Sequence, residues 1–168
     1  EHAHLIDDAT AKYMADKGVW LSSQPFLAEE ANPFPPGSEQ YAKKKSVADG
    51  TAVLFGYVKK YRIKMAWGTD ILFSEAQARR QGVLLAAMTR WFTPAETLQM
   101  ATATNGELLA LSGLRSPYKG RLGVVEEGAL ADLLLVDGNP LADISIVADP
   151  ERNFRVIMKD GKVYKNSL

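Results

Sequence analysis

The side chains best suited to chemistry in this chain are two histidines set two residues apart and an aspartate that closes an apolar run. His2 and His4 are its only histidines. On an extended strand, residues i and i+2 point to one face, the geometry by which two imidazoles can share a metal ion. A terminal pair of histidines is as readily just solvated, and His4 lies where the chain turns toward a helix, which weakens its claim to the same face. Asp70 ends the stretch Ile63-Lys64-Met65-Ala66-Trp67-Gly68-Thr69-Asp70. An apolar run between two helical patterns reads as a buried parallel strand. In α/β architectures the chemistry collects where such strands end, which positions Asp70 as a site residue. The alternative is that Asp70 caps a turn or the next helix with its short acceptor side chain.

The elements that must position these groups follow from periodicity and punctuation. From Asp7 or Asp8 to Lys17, the residues Ile6, Ala9, Tyr13 and Met14 repeat on one side of a helix, which Gly18 can end in a left-handed conformation. Val19–Ser23 reads as a second buried strand. Its end opens into a long stretch, Gln24–Ser38, held extended by prolines and carrying Phe26 and Phe34. Such a loop serves either as a lid or pocket wall, or as an irregular surface connection.

A long helix is expected from Glu39 to about Arg62, with Lys43, Lys44 and Lys45 on its solvated face. Gly50 and Gly56 either weaken it slightly or permit close packing. After Asp70, a helix is expected over Glu75 to Phe92, with Val83, Ala86, Ala87 and Trp91 able to face a core. Thr93-Pro94-Ala95-Glu96 is a well-formed helix start, with Thr as N-cap, Pro at the first position and Glu closing a capping box. Helix continues through Met100 and resumes over Asn105–Ser112.

Beyond Gly120 the period changes to that of short strands, at Leu122–Val125 and Asp132–Val136. Asp160-Gly161, flanked by Phe154–Lys159 and Lys162–Lys165, is a strong two-residue hairpin signal. Helices alternating with parallel strands, then a cluster of antiparallel ones, describe an α/β chain in two subdomains.

Composition narrows the classes of function. At 168 residues, the chain is either one ordinary domain or a piece of a larger one. Hydrophobic content of 46% with 24% charged residues describes a folded globular protein rather than a disordered one. Twenty basic and twenty acidic side chains cancel, so no net field draws the chain to nucleic acid or to an anionic membrane. The absence of cysteine removes disulfides and thiolate metal sites. The longest apolar stretch is too short to span a bilayer. A first residue other than methionine is what a processed or excised product shows, and any targeting segment upstream would be invisible, which leaves the compartment open.

The order of the pieces carries a resemblance. Glu1-His2 precedes a Leu-Ile-Asp-Asp helix start, Gly68-Thr69-Asp70 stands at a strand end, and Thr102-Ala103-Thr104-Asn105 lies on a helix. Then Gly120-Arg121-Leu122-Gly123-Val124-Val125-Glu126-Glu127-Gly128-Ala129-Leu130-Ala131-Asp132-Leu133 runs into Asp137-Gly138-Asn139-Pro140-Leu141. Over nearly its whole length the chain resembles the C-terminal portion of metal-dependent amidohydrolases, nearest the imidazolonepropionase-like and Xaa-Pro dipeptidase-like branch. The tail motif is specific to that superfamily, whereas Gly-Thr-Asp alone would be weak.

The resemblance implies a fold and a site. Residues 1–115 would be strands six to eight, with their helices, of a TIM-like (β/α)8 barrel. Residues 116–168 would be the C-terminal strands of a small β-sandwich. His2 would close strand six as a metal ligand, Val19–Ser23 would be strand seven, and Ile63–Asp70 strand eight. Asp70 matches the aspartate that touches the metal and passes the proton. Asp132 matches the Ala-Asp-Leu of the sandwich and is expected to be structural, and His4 has no assigned role. The His-x-His of strand one, the strand-four lysine and the strand-five histidine of that family have no counterpart here.

The chemistry so implied is hydrolysis of an amide or peptide carbon–nitrogen bond, with a divalent metal, zinc being the one expected, in one or two copies. The expected partners are a small peptide or amide substrate, the missing N-terminal half of the barrel, and further copies of the chain, with no nucleic acid or membrane. The isolated chain is expected to be inactive. The rivals are hydrolysis of a cyclic amide or imidazolone, and a non-catalytic interaction module or remnant.

Overall fold

The computed structural model describes residues 1–27, 32–72 and 74–168. The chain is mixed α/β and divides into two compact units, Glu1–Gly68 and Thr69–Leu168. No helix among the described residues is long and apolar enough to cross a membrane.

In the first unit, helix α1 (Asp8–Asp16) leads to strand β1 (Leu21–Ser23), helix α2 (Glu39–Tyr61) and strand β2 (Met65–Trp67). The Asp7 carboxylate caps α1 by accepting from the Thr10 backbone N–H at 2.7 Å. Gly18, at φ +64°, ends it: its N–H donates to the Ala15 carbonyl while the Val19 N–H donates to that of Met14. That bonding satisfies carbonyls the helix leaves open and needs the left-handed conformation glycine adopts without strain.

Ser38 caps α2, and Arg62 closes it in a left-handed conformation. Strands β1 and β2 pair in parallel, with Leu21 opposite Met65 and Ser23 opposite Trp67. Both are shorter than the runs Val19–Ser23 and Ile63–Asp70 suggested, because only the last three residues of the first and the middle of the second find a ladder partner. Ala11, Leu21, Leu54, Phe55, Val58, Ile63, Met65 and Ala66 are buried, and each large side chain among them contributes about 1.5–3 kcal/mol. The Asp8 carboxylate, which accepts from Lys60 Nζ at 2.6 Å and Tyr61 Oη at 2.7 Å, ties the start of α1 to the end of α2.

The second unit opens with short helices where one was expected. The stretch Glu75–Phe92 breaks into α3 (Glu75–Ala78), α4 (Gln81–Ala87) and a 3-10 turn at Met88–Arg90. Leu84, Met88 and Phe92 are buried, and Val83 is exposed. The face is set by Gly82, where a Cβ would stand 2.0 Å from the Val147 carbonyl oxygen. This bare backbone lets the 3-10 turn Ile144–Ala148 lie against α4.

Helix α5 (Pro94–Gln99) starts with the expected reciprocal cap between Thr93 and Glu96. It passes through a π-helical turn, Met100–Thr104, into α6 (Asn105–Ala110), so the expected gap is a bulge rather than a break. Leu122–Val125 forms no strand. Gly123 sits at φ +72° with its α-carbon against the Thr102 carbonyl, and the Leu122 carbonyl lies over Gly106. The segment packs its backbone on the helix instead of joining a ladder.

Strands β3 (Leu133–Val136), β4 (Phe154–Lys159) and β5 (Lys162–Asn166) form an antiparallel sheet in that order, and the last two are joined by the Asp160-Gly161 turn. The short helix α7 (Pro150–Asn153) precedes β4.

Candidate active site

His2 is placed by β1. The backbone groups of Leu21 and Ser23 serve β2, through Leu21 N–H to the Lys64 carbonyl at 2.9 Å and Gly68 N–H to the Ser23 carbonyl at 3.2 Å. Successive residues of a strand face opposite edges with these groups. The Ser22 carbonyl therefore faces the other edge, where it accepts from the His2 N–H at 2.9 Å. Ser23 Oγ donates to the His2 carbonyl at 2.8 Å. His2 thus lies along the free edge of β1, level with its C-terminal end.

Its backbone and that of Ala3 have φ of +64° and +60°. Side-chain-bearing residues are uncommon in that conformation and gather at sites that hold them there.

Two residues on, His4 is buried. Its Nε2 donates to the Gln24 carbonyl at 2.9 Å, and its ring lies 4.8 Å from that of Phe26, tilted by 55°. Burial pushes the His4 pKa down, against the opposing pull of the Gln24 carbonyl, and His2 nearby adds to the lowering. The two imidazoles therefore do not share a strand face. The segment turns at His4–Leu5, leaving His2 exposed and His4 enclosed. The alternative of a metal shared by the pair on one strand face is not met, and His4, to which no role was assigned, is a packed core histidine.

Helix α2 fixes this arrangement from the side. At Gly50 a Cβ would stand 2.0 Å from the His4 carbonyl oxygen, so the helix backbone approaches as only glycine permits. The neighbouring Thr51 Oγ1 donates to the Phe26 carbonyl at 3.1 Å and accepts from the Phe26 N–H at 3.3 Å. Close packing is thus the role of Gly50. Nothing lies within contact distance of a Cβ at Gly56.

The residue that sequence reasoning missed is Gln24. It is buried, its main-chain carbonyl holds His4, and its amide Nε2 lies 2.9 Å from His2 Nδ1. The available signal was Pro25, since the residue before a proline is driven into extended backbone. Further along the Gln24–Ser38 stretch, Asn32 Nδ2 donates to the Tyr41 carbonyl at 3.1 Å. The part of this stretch at 28–31 lies outside the described residues.

Asp70 follows β2 by three residues, is exposed, and has φ +52°. The cap of the next helix is Ser74, whose hydroxyl accepts from the Gln77 N–H at 3.3 Å. The helix-capping alternative for Asp70 is therefore excluded. Asp132 is engaged elsewhere, accepting from Lys159 Nζ at 2.8 Å and the Asp160 N–H at 2.7 Å. Lys43 and Lys45 are exposed, as a solvated helix face requires, while Lys44 is half-buried.

Among the described residues no group of three or more His, Asp or Glu side chains could hold a metal ion. A zinc site takes imidazole and carboxylate donors, three of them from protein when catalytic. His2 is an exposed imidazole with its Nδ1 engaged, and Asp70 an exposed carboxylate at a strand end. As donors they fit part of such a site and cannot complete one.

Comparison with known proteins agrees in kind. The profile of the amidohydrolase family matches residues 1–164. An ochratoxinase from Aspergillus niger is 28% identical over 170 residues, which take in 98% of this chain and 33% of that protein. The chain therefore spans about a third of the relative's length. Among solved structures, an amidohydrolase superposes with a TM-score of 0.81 at 32% identity, covering 99% of this chain and 39% of that one. A prolidase in complex with N-methylphosphonate-L-proline gives 0.82 at 27% identity, covering 99% and 40%.

Proposed function

The chain belongs to the amidohydrolase family, and from that premise we propose that it forms the C-terminal part of a metal-dependent hydrolase cutting the carbon–nitrogen bond of a small amide or peptide, an Xaa-Pro dipeptide being the favoured case. Residues 1–115 would contribute strands six to eight of a (β/α)8 barrel, and residues 116–168 the C-terminal strands of a composite sandwich. Support comes from the parallel pairing of β1 with β2, with His2 on the outer edge of β1. The prolidase and ochratoxinase likenesses support the class of bond. The observation that carries the proposal is the anchoring of the exposed His2 imidazole at the C-terminal end of β1, where barrels of this kind keep their chemistry.

His2 would hold a divalent ion, zinc being the expected one, through an imidazole nitrogen, and Asp70 would touch the same ion. When bound, such an ion lowers the pKa of water toward neutrality and polarises the scissile carbonyl. Asp70 would accept the proton of the attacking water and return it to the leaving amine, which requires hydrogen-bond reach to both. The Gln24–Ser38 stretch would wall the substrate pocket. The remaining ligands cannot come from histidines of this sequence, which has only His2 and His4. The isolated chain, alone or with added zinc, is accordingly expected to show no turnover of an Xaa-Pro or N-acyl amide substrate, and robust turnover would refute the division of the site.

In the full-length protein, His2→Ala should lower metal content. Asp70→Asn should cost at least about a hundredfold in kcat, as loss of a proton-transfer group does. Metal content and activity left intact by both substitutions would favour a non-catalytic module instead.

A further inference from the structure

We infer that Ser23 is a positioning residue for His2: its hydroxyl holds the main chain of that residue in a conformation it would otherwise leave, and so sets the direction in which the imidazole is presented. The inference rests on His2 being a metal ligand. Both main-chain polar groups of His2 are held by the end of β1. The N–H donates to the Ser22 carbonyl at 2.9 Å, and the carbonyl accepts from Ser23 Oγ at 2.8 Å.

One of these groups belongs to the peptide plane before the α-carbon and the other to the plane after it. Pinning both planes fixes φ and ψ, and with them the line of the Cα–Cβ bond that carries the ring. This clamp acts on the main chain, whatever further contacts the ring makes. It is needed because φ is +64° at His2 and +60° at Ala3, a left-handed pair that residues with a Cβ hold only when their surroundings impose it.

Ser23 is placed to impose it. The residue is 1% exposed, and its own carbonyl accepts from the Gly68 N–H at 3.2 Å, so β2 fixes it from the far edge. The Ser22 contact uses a main-chain carbonyl that any residue there would supply, whereas the Ser23 contact needs a side-chain donor. Without that hydroxyl one of the two planes is released, the segment relaxes toward negative φ, and the ring turns from its place at the end of β1.

The test compares Ser23→Ala, Ser23→Thr, Ser23→Val and His2→Ala in the full-length protein. Threonine and valine share a shape and differ in the hydroxyl, which separates the hydrogen bond from the volume of the side chain. Zinc affinity is read by competition with a chelator, ligand geometry from the visible absorption of the cobalt-substituted protein, and stability of the metal-free protein from its denaturant midpoint.

Ser23→Ala and Ser23→Val should bind zinc about tenfold more weakly, as when a ligand loses the group that orients it, and should alter the cobalt spectrum. Ser23→Thr should keep wild-type affinity and spectrum. Wild-type affinity and spectrum in Ser23→Ala alongside loss in His2→Ala would overturn the role of Ser23 while leaving the functional proposal standing. That holds even if the denaturant midpoint falls, since a merely structural hydroxyl does the same. Wild-type affinity in His2→Ala would overturn both. Should alanine prevent folding, the threonine and valine pair decides alone, because equal zinc affinity in the two contradicts the inference.

Discussion

At the scale of single residues, the two carboxylates that stand out in the sequence have different uses. Asp70 stands exposed in a left-handed conformation three residues past β2. Asp132 is spent on architecture. Its two oxygens take the Lys159 ammonium and the Asp160 N–H, pinning the β4–β5 turn to the segment before β3. Those hydrogen bonds, that of Lys159 foremost, hold the Asp132 pKa below the ordinary carboxylate value. A depressed folded-state pKa gives stability that is present above the unfolded value, near 4, and lost as pH falls through the lower folded one. Wild type should therefore exceed Asp132→Asn in denaturant midpoint at pH 7, with the gap closing as the pH is lowered below about 4. A gap independent of pH would show that the carboxylate charge plays no part. The Asp160-Gly161 turn that Asp132 holds was readable beforehand, because φ of +49° and +74° at its two residues is what that dipeptide favours.

At the scale of elements, glycines on helices decide what lies against what. Gly50 stands in the middle of α2, where alanine would improve helix propensity by about 1 kcal/mol. A methyl group there would meet the His4 carbonyl at 2.0 Å, and overpacking costs typically 1–3 kcal/mol. The balance should be unfavourable, so Gly50→Ala should lower the denaturant midpoint and shift the His2 and His4 ring resonances, whereas Gly56→Ala, with open space around it, should not. The same device explains where sequence reading fell short. Caps and turns announce themselves locally, which is why Thr93–Glu96, the end of α1 at Gly18 and the final hairpin could be anticipated. Backbone-to-backbone docking does not, because it is settled by a partner remote in the chain. Gly82 under Val147 moved the buried face of α4 from Val83 to Leu84 and Met88. Gly123 against Thr102 kept Leu122–Val125 out of any ladder. Gln24 was hidden for a like reason, since its worth lies in two histidines some twenty residues before it.

At the scale of the molecule, apolar surface is left showing. Leu134 and Leu135 are successive residues of β3 and so face opposite sides of the sheet, yet they are 55% and 50% exposed. Val163 and Tyr164 on β5 repeat the pattern at 46% and 63%. Apolar strands bare on both faces, with β3 at an edge, favour pairing with another chain. By itself the polypeptide should therefore run larger than a monomer in light scattering, and co-expression with the proposed N-terminal part should reverse this; a stable, well-dispersed monomer would count against that proposal. The grip of α2 on the histidine segment has a consequence in time. His2 and His4 leave the ribosome well before Gly50 and Thr51, against which that segment is seated. The nascent chain carries this segment before it has anywhere to seat it, so the placement of both imidazoles falls at the close of folding rather than at its start.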